Sequence, residues 1–319
     1  MKMKNDILKF SLKMGLFLSI VILIVGTTFC LSATDDYRMQ MAEFFHCAEF
    51  ITVNNGPNEI KPKIQKVQDD TDQTMLILGD SMCAQMFRAE EWNDLADKIC
   101  INGTNAAITM TGQYILLEQF LEYHENVTDV WLILRPHSIS SKSFGITWGY
   151  QYMIMPFVET DTIGLLEADT VNQLENICGS LFLKKKTVRF LDQSAIGRKI
   201  YLNHLGNRKE IGFDNDIGWQ YLEKMKLLCD EKEVALHLLP APVADTEENR
   251  EIIRSLQNEY DSIAFGQYFS GYFQHISYFP PEQSADGVHF SDEYSSYEIY
   301  REKLKEWYAY DRLVDVLKL

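Results

Sequence analysis

Cysteine is scarce in this chain. There are six in 319 residues, and none forms a Cys-x-x-Cys pair or a Cys/His cluster. That argues against a structural zinc site. Cys30 lies in an apolar N-terminal run. The other five (Cys47, Cys83, Cys100, Cys178 and Cys229) cannot all pair within one chain, so no disulfide framework is indicated, though one bridge stays open. Basic residues are also in deficit: 30 Lys and Arg face 46 Asp and Glu, for a net charge of −16. The first 13 residues carry Lys2, Lys4, Lys9 and Lys13 against Asp6, a sum of +3, and −16 less +3 leaves −19 for the rest. Such a body repels nucleic acid and anionic lipid surfaces, so a nucleic-acid partner is rejected. There is no Gly-x-Ser-x-Gly, which argues against that type of hydrolase elbow. No internal repeat or low-complexity tract is visible.

What is present suits an ordinary globular protein. The apolar fraction is 46% and the charged fraction 24%, ample for a core. The length suits one large α/β domain or two small ones.

Residues 14–33 contain no charge, and that length crosses a bilayer as a helix. Residues 1–13 are basic and Asp35-Asp36 follow the run, so the positive-inside rule puts the N-terminus in the cytoplasm and the body outside. An uncleaved anchor and a cleaved signal peptide compete here. The length of the run and the poor cleavage site at Leu31-Ser-Ala33 favour the anchor. Residues 34–73 read as a juxtamembrane helix from Asp36 to Glu49 and a linker broken by Asn54-Asn-Gly-Pro57 and Lys61-Pro62.

The body, residues 74–310, is organised around Thr74-Met-Leu-Ile-Leu-Gly-Asp-Ser-Met-Cys83. An apolar run ends at Gly79, Asp80 and Ser81 follow, and Met82, Met86, Phe87, Trp92 and Leu95 continue with helical spacing. This is a buried strand, a tight turn and a helix, with Ser81 at the turn. Helix N-termini favour negative charge, which develops on oxygen in acyl transfer. The alternation then continues. Strands are expected at Lys98–Asn102, Asp129–Leu134, Val234–Leu239 and His275–Phe279. Helices are expected at Thr111–Tyr123, Asp216–Cys229, Thr246–Tyr260 and from an N-cap at Ser291 to about Tyr308. Such alternation argues for an α/β fold with a parallel sheet and helices on both faces. Residues 138–213 break the rhythm and read as a mostly helical insertion. Its aromatics (Phe144, Trp148, Tyr150, Tyr152, Phe157) either form a small core of their own or line a sugar or acyl pocket.

A serine needs a base, and the base an orienting partner. Asp286-Gly-Val-His289 sits on a loop just before the last helix and offers both. The roles are nucleophile Ser81, general base and acid His289, and orienting carboxylate Asp286. Ser81 as a helix cap and His289 as a structural histidine are the plain alternatives. Cys83 has no basic neighbour in sequence to lower its pKa.

These blocks resemble the SGNH, or GDSL, hydrolase family. Gly79-Asp80-Ser81 follows a strand as its first block does, and Asp286-Gly-Val-His289 precedes the final helix as its last block does. The second block resembles Asn102-Gly-Thr-Asn-Ala-Ala107. There the oxyanion-hole glycine falls on Ala106, with Asn105 beside it and Gly103 at the preceding turn. The third block, normally Gly-x-Asn-Asp, is here Leu134-Arg-Pro-His137, so the oxyanion asparagine is missing and Asn105 or His137 is left to substitute. Asp80 and His137 are assigned to substrate binding.

The resemblance implies a three-layer, flavodoxin-like sandwich behind one transmembrane helix. It also implies a serine esterase or O-acyltransferase with no cofactor or metal. An anchored, outward-facing domain of this kind is similar in layout to proteins that add or remove acyl groups on cell-wall or exported polysaccharides. The expected substrate is then an acylated carbohydrate, and the expected partner a multipass membrane acyltransferase. A catalytically inactive polysaccharide-binding or assembly protein is the second class. A lipase is a third, with no lid signature to support it.

Overall fold

The computed structural model describes residues 2–31, 62–69, 72–95, 97–103, 110–139, 157, 160–178, 217–262, 266, 270–284, 286–294 and 296–307. The first element, α1 (Lys2–Leu31), contains a segment, Asp6–Thr27, long and apolar enough to cross a membrane, with none of it buried inside the protein. The helix starts earlier than the uncharged run because Lys, Leu and Met all propagate helix well. The expected juxtamembrane helix at 36–49 lies outside the described residues.

The compact body begins before residue 74. Residues 62–67 form a helix, α2, whose Ile64 and Val67 are fully or nearly fully buried. They lie three apart on one face, so this turn docks on the core rather than serving as linker.

Four strands form a parallel sheet in the order β2-β1-β3-β4: β1 (Met75–Gly79), β2 (Ile99–Gly103), β3 (Asp129–Leu134) and β4 (Ala235–Pro240). β1 sits centrally, with Met75 opposite both Ile99 and Asp129. Parallel neighbours need long crossovers, and the helices between the strands supply them. In β1 and β3 both faces are buried, and alternate side chains enter two separate cores. Leu76, Leu78, Val130 and Leu132 join Ile115, Leu116 and Phe120 of α4 (Met110–Tyr123) and Tyr221, Leu222 and Met225 of α6 (Ile217–Glu231). Met75, Ile77, Trp131 and Ile133 join Met82 and Met86 of α3 (Ser81–Met86) and Tyr300 and Leu304 of α7 (Tyr297–Trp307). A fully buried side chain of this size stabilises by roughly 2–3 kcal/mol, so both cores matter.

Three elements differ from expectation. The helix after Ser81 stops at Met86, and a 3-10 helix runs from Glu90 to Leu95. Phe87 and Trp92 both face the second core and pack with their rings tilted, centroids 5.2 Å apart. Positions five apart on one helix point about 140° away from each other, so a break is needed to bury both. The strand near residue 278 does not extend the main sheet: β6 (Tyr278–Phe279) pairs with β5 (Val243–Ala244) in a separate ladder. Pro240 and Pro242 lack N–H groups, so the main ladder ends there. The last helix starts later than expected. A 3-10 turn covers Asp292–Tyr294, and Ser296 rather than Ser291 caps the helix, accepting from Ile299 N–H at 3.4 Å. Within the insertion, α5 (Ala168–Cys178) is helical as expected. Phe157, Ile139 and Leu166 join the first core, so Phe157 belongs to the main body. Phe144, Trp148, Tyr150 and Tyr152 lie outside the described residues.

Candidate active site

Ser81 is the first residue of α3, at the C-terminal end of β1. Gly79 makes that junction possible. A Cβ there would lie 2.3 Å from both the Cys83 side chain and the Ile133 carbonyl oxygen, so any larger residue pushes α3 off the sheet. Asp80 caps the helix, its Oδ1 accepting from Met82 N–H at 3.0 Å. Its Oδ2 accepts from Arg135 N–H at 3.0 Å and from the Ser138 hydroxyl at 2.6 Å, with Arg135 Nε at 3.7 Å. Asp80 is completely buried. Its carboxylate is therefore a structural tie between α3 and the end of β3, not the substrate contact expected from the sequence.

His289 reaches this serine from the other end of the chain. Its Nε2 lies 2.8 Å from Ser81 Oγ, and its Nδ1 lies 2.8 Å from Asp286 Oδ2. An ionised carboxylate only accepts, so Nδ1 carries the proton and donates it to Asp286. Nε2 is then the bare acceptor that faces the Ser81 hydroxyl. Asp286 Oδ1 also accepts from Val288 N–H at 2.9 Å and His289 N–H at 2.7 Å. Partial burial pushes the Asp286 carboxyl up. The two backbone N–H groups and the imidazole outweigh it and hold the group below the ordinary carboxylate value. The tight turn also needs Gly287, whose φ is +82°.

The loop that carries His289 is itself clamped. Gln85 Nε2 donates to Phe290 O at 2.8 Å, while Gln85 Oε1 accepts from Phe290 N–H at 3.1 Å. Ser284 Oγ donates to His289 O at 3.0 Å, and Ser291 N–H to Gln283 O at 2.9 Å. Gln85 stands one helical turn after Ser81, so it shares the face that meets the histidine loop. That spacing was the available sequence signal for it. Ser138 carried no such signal, because its role depends on where β3 ends.

A cleft of about 410 Å³ opens beside Ser81 and His289, with Ala84, Phe87, Trp92, Ile99 and Ile101 among its walls. Ser81 is 7% exposed and the His289 side chain 33%, so the pair is open to solvent from this side. Cys83, two residues on, faces the other way. Burial, then the nearby Asp80 charge, push its thiol far above the usual range, which removes it as a nucleophile. Cys83, Cys100 and Cys229 are free and buried.

As the first residue of its helix, Ser81 has an N–H without an intrahelical acceptor, the kind of donor an oxyanion needs. Ala106 and Asn105, expected to contribute the others, lie outside the described residues. The backbone of His137 sits in the 3-10 helix Pro136–Ile139 at the end of β3, and its side chain also lies outside them. Among the described residues no group of three or more His, Cys, Asp or Glu side chains converges as a metal site.

Compared with known proteins, the chain matches no family model, no curated protein and no solved structure.

Proposed function

We propose that this chain is a membrane-anchored serine acyl hydrolase or O-acyltransferase of the SGNH type, facing outward and acting on acylated cell-surface or exported polysaccharide. The observation that carries the reading is the Asp286–His289–Ser81 relay, two contacts of 2.8 Å joining residues 208 apart in sequence. A cap serine has no need of an imidazole on its hydroxyl, nor a structural histidine of a carboxylate on its far nitrogen. The strand order β2-β1-β3-β4 and the apolar cores on both faces support the three-layer, flavodoxin-like sandwich. The apolar N-terminal helix, preceded by lysines, supports the anchor and its direction. A multipass membrane acyltransferase is the proposed partner on the same layout argument.

The reaction runs in two halves. Ser81 Oγ attacks the ester carbonyl carbon while its proton passes to His289 Nε2. Asp286 stabilises the imidazolium that forms, and donors such as the Ser81 N–H stabilise the oxyanion. The tetrahedral intermediate collapses, His289 returns the proton to the departing alkoxide oxygen, and the alcohol leaves an acyl-Ser81 ester. Water or a sugar hydroxyl then attacks, giving its proton to His289. Collapse of the second intermediate releases the acid or the new ester, and the proton goes back to Ser81 Oγ. Exclusion of water from the cleft decides between hydrolysis and transfer.

The binding-protein reading has one observation in its favour. Where the family's third block supplies an oxyanion asparagine, this chain has Arg135-Pro-His137, with Arg135 and Ser138 committed to Asp80. One experiment separates the two. The full-length protein in neutral detergent is given a small aryl acetate, and turnover is compared with Ser81→Ala. Turnover that depends on Ser81 supports the enzyme. Absence of both turnover and acyl-Ser81 supports the binding protein.

A further inference from the structure

The core stripe of α4 begins with a polar residue. Ile115, Leu116, Leu117 and Phe120 pack the helix onto the sheet, and all four are fully buried. Gln113 stands three and four positions before Leu116 and Leu117 and seven before Phe120, on the same face, and is fully buried too. An amide at such a position costs free energy that an apolar side chain of similar length would not.

Gln113 Nε2 donates to the Gly79 carbonyl at 3.1 Å. A carbonyl only accepts, so the amide nitrogen must face Gly79 and Oε1 is turned elsewhere. Among the described residues that buried Oε1 has no hydrogen-bond partner. Gln119, further along the same helix, is bonded at both ends: Oε1 accepts from Gln68 Nε2, and Nε2 donates to Glu122 Oε2 at 3.2 Å. A glutamine kept for stability alone would resemble Gln119, or would be replaced by an apolar side chain.

The carbonyl that Gln113 holds leads directly into Ser81. Gly79 ends β1, and its carbonyl carbon forms the peptide bond to Asp80, one residue before Ser81. Glycine has no side chain to fix the orientation of that peptide. Cys83 and the Ile133 carbonyl crowd Gly79 where a Cβ would stand. Asp80 ties the turn to the end of β3, and Gln85 ties α3 to the histidine loop. Gln113 supplies a further tie, from the opposite face of the sheet to α3.

We propose that Gln113 is a positioning residue for acyl transfer at Ser81. Its amide nitrogen fixes the Gly79–Asp80 peptide, and with it the start of α3 and the aim of Ser81 Oγ between His289 and the ester. This rests on the acyl-Ser81 reading and adds to it a residue outside the cleft.

The test uses the full-length protein in neutral detergent with a small aryl acetate. Gln113→Met keeps the length of the side chain, loses the bond to Gly79 and removes the bare oxygen. The two changes oppose each other, so its melting temperature stays within about 3 °C of wild type. Its kcat falls about tenfold or more at nearly constant KM. Gln119→Met, which removes a buried amide of the same helix away from the turn, leaves kcat unchanged. Gln113→Glu separates positioning from packing. Its acid form donates to the Gly79 carbonyl and its carboxylate does not. At the acid end of the pH profile its kcat relative to wild type therefore exceeds that of Gln113→Met. Wild-type kcat in Gln113→Met, an equal fall in Gln119→Met, or Gln113→Glu no better than Gln113→Met in acid overturns the proposal.

Wild type itself separates this failure from failure of the enzyme reading. If it shows neither turnover nor acyl-Ser81, the enzyme reading falls and the tie is read by amide hydrogen exchange. Exchange at residues 80–84 that is about tenfold faster in Gln113→Met, with Asp129–Leu134 unchanged, then supports the hold of Gln113 on the turn. Equal exchange overturns it.

Discussion

Gln85 grips Phe290 by both backbone groups, accepting from its N–H at 3.1 Å and donating to its carbonyl at 2.8 Å. One buried amide thereby locks the segment after His289 onto the helix that begins with Ser81. The distance between His289 and Ser81 is set by this clamp as much as by the two residues themselves.

Gln85→Leu leaves both Phe290 groups without these partners and costs about 2 kcal/mol of stability. Because the lost contact positions His289, kcat falls about 10- to 100-fold while KM changes little. Gln85→Glu keeps an acceptor for the N–H but loses the donor, so its kcat falls in between. Steady-state kinetics on a soluble ester, with thermal melts alongside, check both effects. An unchanged kcat in Gln85→Leu would remove the clamp from the account.

Asp80→Ala acts on folding rather than on substrate binding. It strips a cap and leaves the donors of Met82, Arg135 and Ser138 without their acceptor, a loss of about 3 kcal/mol. Denaturant unfolding reads this directly. A variant as stable as wild type but with a raised KM would restore Asp80 to substrate binding.

Gly287→Ala meets no steric obstacle, since no atom lies within 4 Å of the added Cβ, but it must hold φ at +82°. The cost is about 1–2 kcal/mol, and Gly287→Asn is milder because asparagine tolerates the left-handed region better. Both lower kcat by loosening the Asp286–His289 turn. Melting temperatures in the order Gly, Asn, Ala check the ranking.

Asp286 makes stability depend on pH in a defined direction. Its folded pKa is lowered, so its contribution is complete above the unfolded value of about 4 and is lost as pH falls through the lower folded value. The stability gap between wild type and Asp286→Ala is therefore constant at neutral pH and closes only in acid. Asp286→Asn keeps the size of the side chain but puts the wrong hydrogen-bonding group against Nδ1, and kcat falls on the order of 10³- to 10⁴-fold. Unfolding curves from neutral to acid pH and single-turnover rates give the two readouts.

Much of this was legible in the sequence, for reasons that differ by element. Asp129–Leu134 is a strand at its expected bounds because six buried apolar-rich positions admit no other reading. Met110–Tyr123 and Ile217–Glu231 announce themselves by period. Ser81, Asp286 and His289, which the structure brings together, could be singled out because each sits at an element boundary, where local chemistry is compressed into a few letters. The 62–67 helix was missed because one short turn starting at Pro62 carries too little pattern, and it is held by tertiary contacts, the docking of Ile64 and Val67 and the bond from Asn102 Nδ2 to the Lys63 carbonyl. Asp80 was assigned to substrate binding because a charged residue in a turn beside Ser81 reads as exposed, whereas it is buried. Its partners, Arg135 and Ser138, lie more than 50 residues away and meet it only in the folded chain.

The most direct measurement is the intact mass of the full-length protein after brief exposure to an aryl acetate, quenched in acid, with the adduct located by peptide mapping. The account predicts one acetyl group on Ser81, absent in Ser81→Ala and accumulating in His289→Ala only far more slowly. An acetyl group on another residue with Ser81 unmodified, or no adduct and no turnover in wild type, would contradict the nucleophile.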